Sequence, residues 1–128
     1  MPISRSMTLP KSPKHVNVPN IPNGKTYIAF LSSTDPDTHQ PWCPDVQVTW
    51  PHLTAAFDDS PRSPLLNIIE VGARDEWRQP DNDYRVTWKI NELPTVVRYE
   101  RVNGEIVETM RLVKSGILTS STLYDFLQ

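Results

Sequence analysis

The chain has 128 residues, of which 38% are hydrophobic and 22% are charged, and its formal net charge is −2. This length suits one domain with one hydrophobic core. The small negative charge gives no electrostatic case for nucleic acid or an anionic membrane as the main partner, and no apolar run approaches the roughly 20 residues that span a bilayer. A single cysteine, Cys43, excludes an internal disulfide framework; with no apolar signal segment visible, we expect a reducing, cytoplasmic location.

The first third of the chain predicts an arm and then a buried strand. Residues 1–14 are rich in proline, serine and basic residues, so we expect a flexible N-terminal arm ahead of a domain over residues 15–128. Residues 15–18 are compatible with a short strand. After the turn signal Asn23-Gly24, residues 25–31 form a nearly unbroken apolar run, which predicts a central strand covered on both faces.

The stretch Trp42-Cys43-Pro44-Asp45 follows a polar loop and opens a predicted helix. Proline suits the first turn of a helix, and apolar residues then continue at helical spacing, which predicts a helix over residues 45–57. Pro51 lies inside this helix and should kink or divide it. A thiol at the start of a helix meets backbone N–H groups and the positive end of the helix dipole, and both favour the thiolate.

The second half of the chain alternates strands and short helices. The predicted elements are a buried strand over residues 65–71, a polar loop over 72–81, a short helix over 82–90, a strand over 93–99, a return strand over 105–112 and a helix over 121–127. Asn103-Gly104 is a strong hairpin signal between the last two strands. Such a pattern predicts an α/β fold, in which helices flank a mixed central sheet.

Four short segments spaced along the chain form a distinctive set. They are Asn23-Gly24-Lys25-Thr26, Trp42-Cys43-Pro44-Asp45, the loop from Val71-Gly72 through Trp77, Pro80 and Asn82 to Asp83, and Leu93-Pro94-Thr95. Together they resemble the thioredoxin superfamily, and within it the thioredoxin domain-containing protein 17 family. The resemblance runs from about residue 23 to residue 128. It implies a thioredoxin-like fold with Pro94 at the position of that family's cis-proline.

Two features depart from this family. The family has an amphipathic helix between its first strand and the Asn-Gly-Lys segment, whereas residues 19–22 leave no room for one, so we expect this first helix to be missing. The apolar sheet face left behind would need a cover, either the N-terminal arm or a second copy of the chain in a homodimer. The family's second active-site cysteine is Val46 here.

The resemblance assigns a catalytic role to Cys43. Its implied substrate-binding neighbours are Trp42, Pro44, Asp45, Leu93, Pro94 and Thr95. Trp42 would offer an apolar surface beside the sulfur, or would only pack. Asp45 would tune the thiol or select substrates, or would be a solvated acid in the first helical turn. Pro94, if cis, would leave the Leu93 backbone free to pair with an extended substrate.

The remaining polar residues predict no further site. The three histidines have no metal-ligand spacing with the single cysteine, and His39, four residues before Cys43, fits an exposed loop. We therefore expect no metal and no cofactor beyond an external thiol such as glutathione as a co-substrate.

Three functions stay open at this point. The first is monothiol chemistry at Cys43, either thiol–disulfide exchange or the handling of glutathione and thiol adducts, with small or protein disulfides and thiols as partners. The second is a redox-inactive binding module that uses the same face for a peptide or partner protein. The third is a fold recruited to non-redox catalysis on a small molecule. The intact Trp42-Cys43-Pro44-Asp45 stretch favours the first, whereas Val46 and the missing helix favour the other two.

Overall fold

A mixed five-stranded sheet forms the centre of the computed structural model, which describes residues 3–58 and 62–128. In chain order the strands are β1 (Ile3–Ser4), β2 (Lys25–Leu31), β3 (Leu66–Glu70), β4 (Thr95–Val102) and β5 (Glu105–Leu112). They lie in the order β1-β3-β2-β4-β5. Strands β1 and β2 pair parallel to β3, whereas β4 pairs antiparallel to both β2 and β5. The predicted mixed α/β architecture is confirmed.

The helices are short apart from one. They are α1 (Pro44–Phe57), α2 (Arg74–Trp77), α3 (Asp83–Val86), α4 (Lys114–Ile117) and α5 (Ser120–Phe126), with a 3₁₀ turn at Pro13–His15. Of the kink or division predicted at Pro51, the division is wrong, since α1 continues through this residue as one helix. Pro51 and Gln47 are both exposed, so water can replace the helical hydrogen bond that proline does not donate. None of the described helices has the length and apolarity needed to cross a membrane.

Aromatic contacts define a covered layer on each face of the sheet. On one face Tyr27 meets Phe57 of α1 and Phe126 of α5, with ring centres 5.4 and 5.2 Å away. On the other face Phe30 meets Trp88, with ring centres 5.8 Å apart. Neighbouring positions of a strand point to opposite faces, so the apolar run of β2 buries its side chains on both. This confirms the prediction of a central strand covered on both sides.

The N-terminal segment, residues 3–18, lies against the domain rather than extending from it. It pairs with β3 through β1, and Met7 and Leu9 pack against the core. Val16 and Val18 are buried, so the short strand predicted at residues 15–18 is replaced by the 3₁₀ turn and an extended stretch anchored in the core. Backbone carbonyls of this stretch accept hydrogen bonds from the sheet. Residues 1 and 2 of the predicted flexible arm lie outside the described residues.

The position of this segment fits the predicted absence of the first helix. No α-helix precedes β2 in the described part of the chain. Thr26 of β2 donates to the Asn17 carbonyl at 2.7 Å, and Arg101 near the end of β4 donates to the Val18 carbonyl at 2.9 Å. The segment therefore crosses from the β3 edge towards β4 and β5, and covers part of the sheet face that a helix would otherwise cover.

Candidate functional site

Cys43 is the N-cap residue of α1, as the sequence predicts. Its carbonyl accepts from the amides of Val46 at 3.1 Å and Gln47 at 3.2 Å, which begins the helix. Its own amide donates to the hydroxyl of Ser32 at 3.2 Å, directly after β2. These hydrogen bonds hold the backbone of Cys43 on both sides, and the residue is half-buried, so part of it is open to solvent.

The segment before β4 lies against this cysteine. The Leu93–Pro94 peptide bond is cis, and the Sγ of Cys43 is 3.8 Å from the Leu93 carbonyl oxygen. Leu93, Pro94 and Thr95 are buried residues, and the Thr95 hydroxyl donates to the Glu92 carbonyl at 2.6 Å. The structure thus brings the two predicted site segments, 50 residues apart, into contact. The substrate-binding roles of these residues remain predictions.

Trp42 is held by the loop that follows β3. Its indole N–H donates to the Gly72 carbonyl at 2.9 Å, and the Gly72 amide donates to the hydroxyl of Ser33 at 2.7 Å. Gly72 has φ 99°, a conformation that residues with a side chain rarely adopt. The guanidinium of Arg74 lies 5.2 Å from the Trp42 ring centre and donates to the Trp42 carbonyl at 3.3 Å. Trp42 is therefore positioned from both its ring and its backbone.

Asp45 forms an ion pair away from the sulfur. Its carboxylate lies 3.0 Å from the Nζ of Lys114, at the start of α4. Both side chains are nearly half exposed, so the pair contributes little to stability. Pro44 is exposed at the first position of α1.

Val46 is fully buried in the core. It lies one helical turn after Cys43, at the position where the resembled family has its second cysteine. An aliphatic side chain there provides packing and no nucleophile. The predicted site accordingly has one thiol, that of Cys43, and an aliphatic residue, Val46, one turn later in the helix.

His39 is exposed in the loop before Trp42. Within residues 3–58 and 62–128, no group of three His, Cys, Asp or Glu side chains is placed to hold a metal ion.

Sequence reasoning missed Ser32, Ser33 and Arg74. Both serines directly follow the predicted strand. Ser32 accepts from the amide of Cys43 and Ser33 from the amide of Gly72, and their position at the end of a strand was the available signal. Arg74 carried a weaker signal, since it falls inside the Val71-to-Asp83 loop already matched to the family. The predicted polar loop over residues 72–81 instead contains α2, whose Trp77 is buried under the guanidinium of Arg85 at 3.9 Å.

Comparison with known proteins gives a family match over most of the chain. Residues 12–125 match the model of the thioredoxin domain-containing protein 17-like thioredoxin domain. A thioredoxin domain-containing protein of Schizosaccharomyces pombe is 34% identical over 107 residues, covering 82% of this chain and 84% of the relative.

Two further relatives match over a shorter length. Thioredoxin domain-containing protein 17 of Danio rerio is 30% identical over 76 residues, which cover 59% of this chain and 62% of the relative. The thioredoxin-like protein Clot of Arabidopsis thaliana is 34% identical over 76 residues, which cover 58% of this chain and 57% of the relative. The match to these two thus spans about three-fifths of their length.

Proposed function

The chain belongs to the thioredoxin domain-containing protein 17-like family and has its thioredoxin-like fold, and from this premise we propose that Cys43 exchanges thiols with disulfides as a single nucleophile. The Cys43 thiolate attacks one sulfur of a substrate disulfide. A new disulfide forms between Cys43 and that sulfur, the substrate's own S–S bond breaks, and the departing sulfur leaves as a thiolate that takes up a proton. The cysteine sulfur is oxidised and the departing sulfur is reduced.

One observation supports this proposal above the others. Cys43 is a half-buried residue at the start of α1, and its sulfur lies 3.8 Å from the carbonyl before the cis-proline. The flanking Trp42 supplies an aromatic surface beside the sulfur, and partial exposure leaves a side from which a disulfide can approach.

The buried Val46 determines how the reaction ends. In a dithiol protein, a second cysteine attacks the mixed disulfide and releases the product. Val46 has no atom that can attack sulfur, so the adduct on Cys43 must be released by an external thiol such as glutathione, which serves as co-substrate. The protein then acts in the cytoplasm as a monothiol oxidoreductase, or as a carrier of glutathione and thiol adducts.

A turnover assay with a glutathione mixed disulfide tests this function. The protein is incubated with the mixed disulfide and reduced glutathione, and the rate is compared with that of Cys43→Ser. We expect turnover from the wild-type chain that is lost in the variant, while Val48→Ala, an exposed change elsewhere on α1, keeps the wild-type rate. Equal inactivity of wild type and Cys43→Ser would contradict thiol chemistry and favour the binding-module interpretation.

A further inference from the structure

A cleft of about 760 Å³ opens beside Trp42, between the loop before α1 and the loop after β3. Four charged side chains line it, namely Asp35, Arg74, Asp75 and Glu76. Of these, Arg74 contacts both the ring and the carbonyl of Trp42, the residue next to Cys43. Cys43 does not itself line the cleft, but its amide is joined to the Trp42 carbonyl that Arg74 contacts, so a ligand bonded to the Cys43 sulfur and extending over Trp42 would approach the Arg74 guanidinium.

The Arg74 guanidinium retains donors for a ligand. One of its N–H groups is directed to the Trp42 carbonyl at 3.3 Å, whereas a guanidinium has five in total. In the described portion of the chain, Arg74 forms no ion pair with a carboxylate. The side chain is exposed, so its charge faces the cleft entrance rather than the core.

Two of the three acidic side chains that line the cleft accept hydrogen bonds from backbone amides of their own segments. The Glu76 carboxylate accepts from the Ala73 amide at 3.1 Å, and the Asp35 carboxylate accepts from the Asp37 amide at 2.7 Å. Asp75 is exposed on the same cleft, and its negative charge opposes that of Arg74. Asp45, two residues after Cys43, forms an ion pair with Lys114. Arg74 thus places a positive charge in contact with the backbone that directly precedes the thiol.

We propose that Arg74 is a specificity-determining residue that favours disulfide substrates with a carboxylate or similar anion close to the attacked sulfur. The inference rests on the proposed thiol function and names the substrate class for the same site. The anion would pair with the guanidinium while the adjoining carbon chain lies on the Trp42 ring. A cationic substrate would instead place its charge against Arg74, and its reaction would be slower.

Three small disulfides of similar size separate the effect of charge from that of shape. They are the dianion of 3,3′-dithiodipropionic acid, the neutral bis(2-hydroxyethyl) disulfide and the dication cystamine. The rate of mixed-disulfide formation on Cys43 is measured for each by intact-mass spectrometry at low salt. Wild-type protein is compared with Arg74→Gln, which removes the charge, with Arg74→Lys, which keeps it, and with Arg78→Gln, an exposed control just after α2.

We expect the wild type to prefer the dianion over the dication, with Arg74→Gln reducing that ratio about fivefold, as suits an exposed charge pair. Arg74→Lys should retain part of the preference, Arg78→Gln all of it, and high salt should weaken it. If Arg74→Gln slows all three probes equally, Arg74 only holds Trp42 in place and the proposal is wrong. If wild-type protein forms an adduct with none of the probes, the thiol function itself fails, and this inference fails with it.

Discussion

Cys43 and Val46 lie one helical turn apart at the start of α1, and the first is half-buried while the second is fully buried. The sequence reveals both identities directly, including the loss of a second nucleophile. It does not reveal that the Cys43 amide bonds Ser32 or that Arg74 lies over Trp42, because these contacts join residues 11 and 32 positions apart. Such pairs are brought together by the sheet, and no local spacing predicts them.

Because of Tyr99, the free energy of unfolding falls as the pH becomes alkaline. Its ring is buried, and within residues 3–58 and 62–128 its hydroxyl has no hydrogen-bond partner. Burial, reinforced by the Glu108 carboxylate and partly opposed by Arg111, raises the pKa of Tyr99 above its usual value of 10.0. The native state therefore keeps the phenol neutral where the unfolded chain has already ionised. Stability from this residue is complete below about pH 10 and is lost as pH rises through the native pKa.

The substitution Tyr99→Phe tests this pH dependence. Because no hydrogen bond is removed, we expect the free energy of unfolding at neutral pH to change by less than about 1 kcal/mol. Above pH 10 the wild type should lose up to about 1.4 kcal/mol per pH unit more than the variant. Urea unfolding at pH 8 to 11 measures both. Tyr124→Phe, at a residue 64% exposed, should follow the wild-type curve, and identical curves for all three proteins would contradict the assignment.

Elements with long apolar patterns were predictable, whereas of the one-turn helices only α3 was anticipated, within the helix predicted over residues 82–90. Strand β2 and the hairpin of β4 and β5 follow from an apolar run and from Asn103-Gly104, whose φ angles of 53° and 82° suit a tight hairpin turn. Helices α2 and α4 have four residues each, too few to show a helical period. The N-terminal segment was expected to be either a flexible arm or a cover for the sheet face, and the structure places residues 3–18 against the domain. Its proline content masks the few apolar residues that anchor it, so the sequence did not decide between the two.

Val18 tests whether the N-terminal segment stabilises the domain. The side chain is 1% exposed, and truncating it to alanine removes buried methyl groups and leaves a cavity. We expect Val18→Ala to lower the free energy of unfolding by about 2 kcal/mol. The matched change Val102→Ala, at a residue 44% exposed, should cost less than about 0.5 kcal/mol. Equal urea midpoints for the two variants would indicate that the segment is not packed as described.

On the scale of the whole molecule, the site forms where four separate parts of the chain meet. The end of β2 supplies Ser32, the start of α1 supplies Cys43, the loop after β3 holds Trp42, and the segment before β4 contributes Leu93. The family resemblance predicted three of these four parts, because short motifs mark them. Composition and charge did not indicate that these segments meet; the positions of their motifs in the resembled fold did.

In the proposed function, Cys43 forms a mixed disulfide with a substrate sulfur, and Val46 leaves the chain without a second thiol to release it. Val46→Cys tests this most directly, since it restores a thiol one helical turn from Cys43 at a cost of about 1 kcal/mol in buried packing. Wild-type, Val46→Cys and Cys43→Ser proteins are treated with glutathione disulfide, freed of excess reagent, and followed by intact-mass spectrometry.

We predict that the wild type keeps one glutathione per chain until an external thiol is added, and that Cys43→Ser takes up none. The Val46→Cys protein should lose its glutathione without added thiol and leave an internal disulfide between residues 43 and 46. A wild-type chain that acquires no glutathione, or that sheds it unaided as fast as Val46→Cys, would contradict the account.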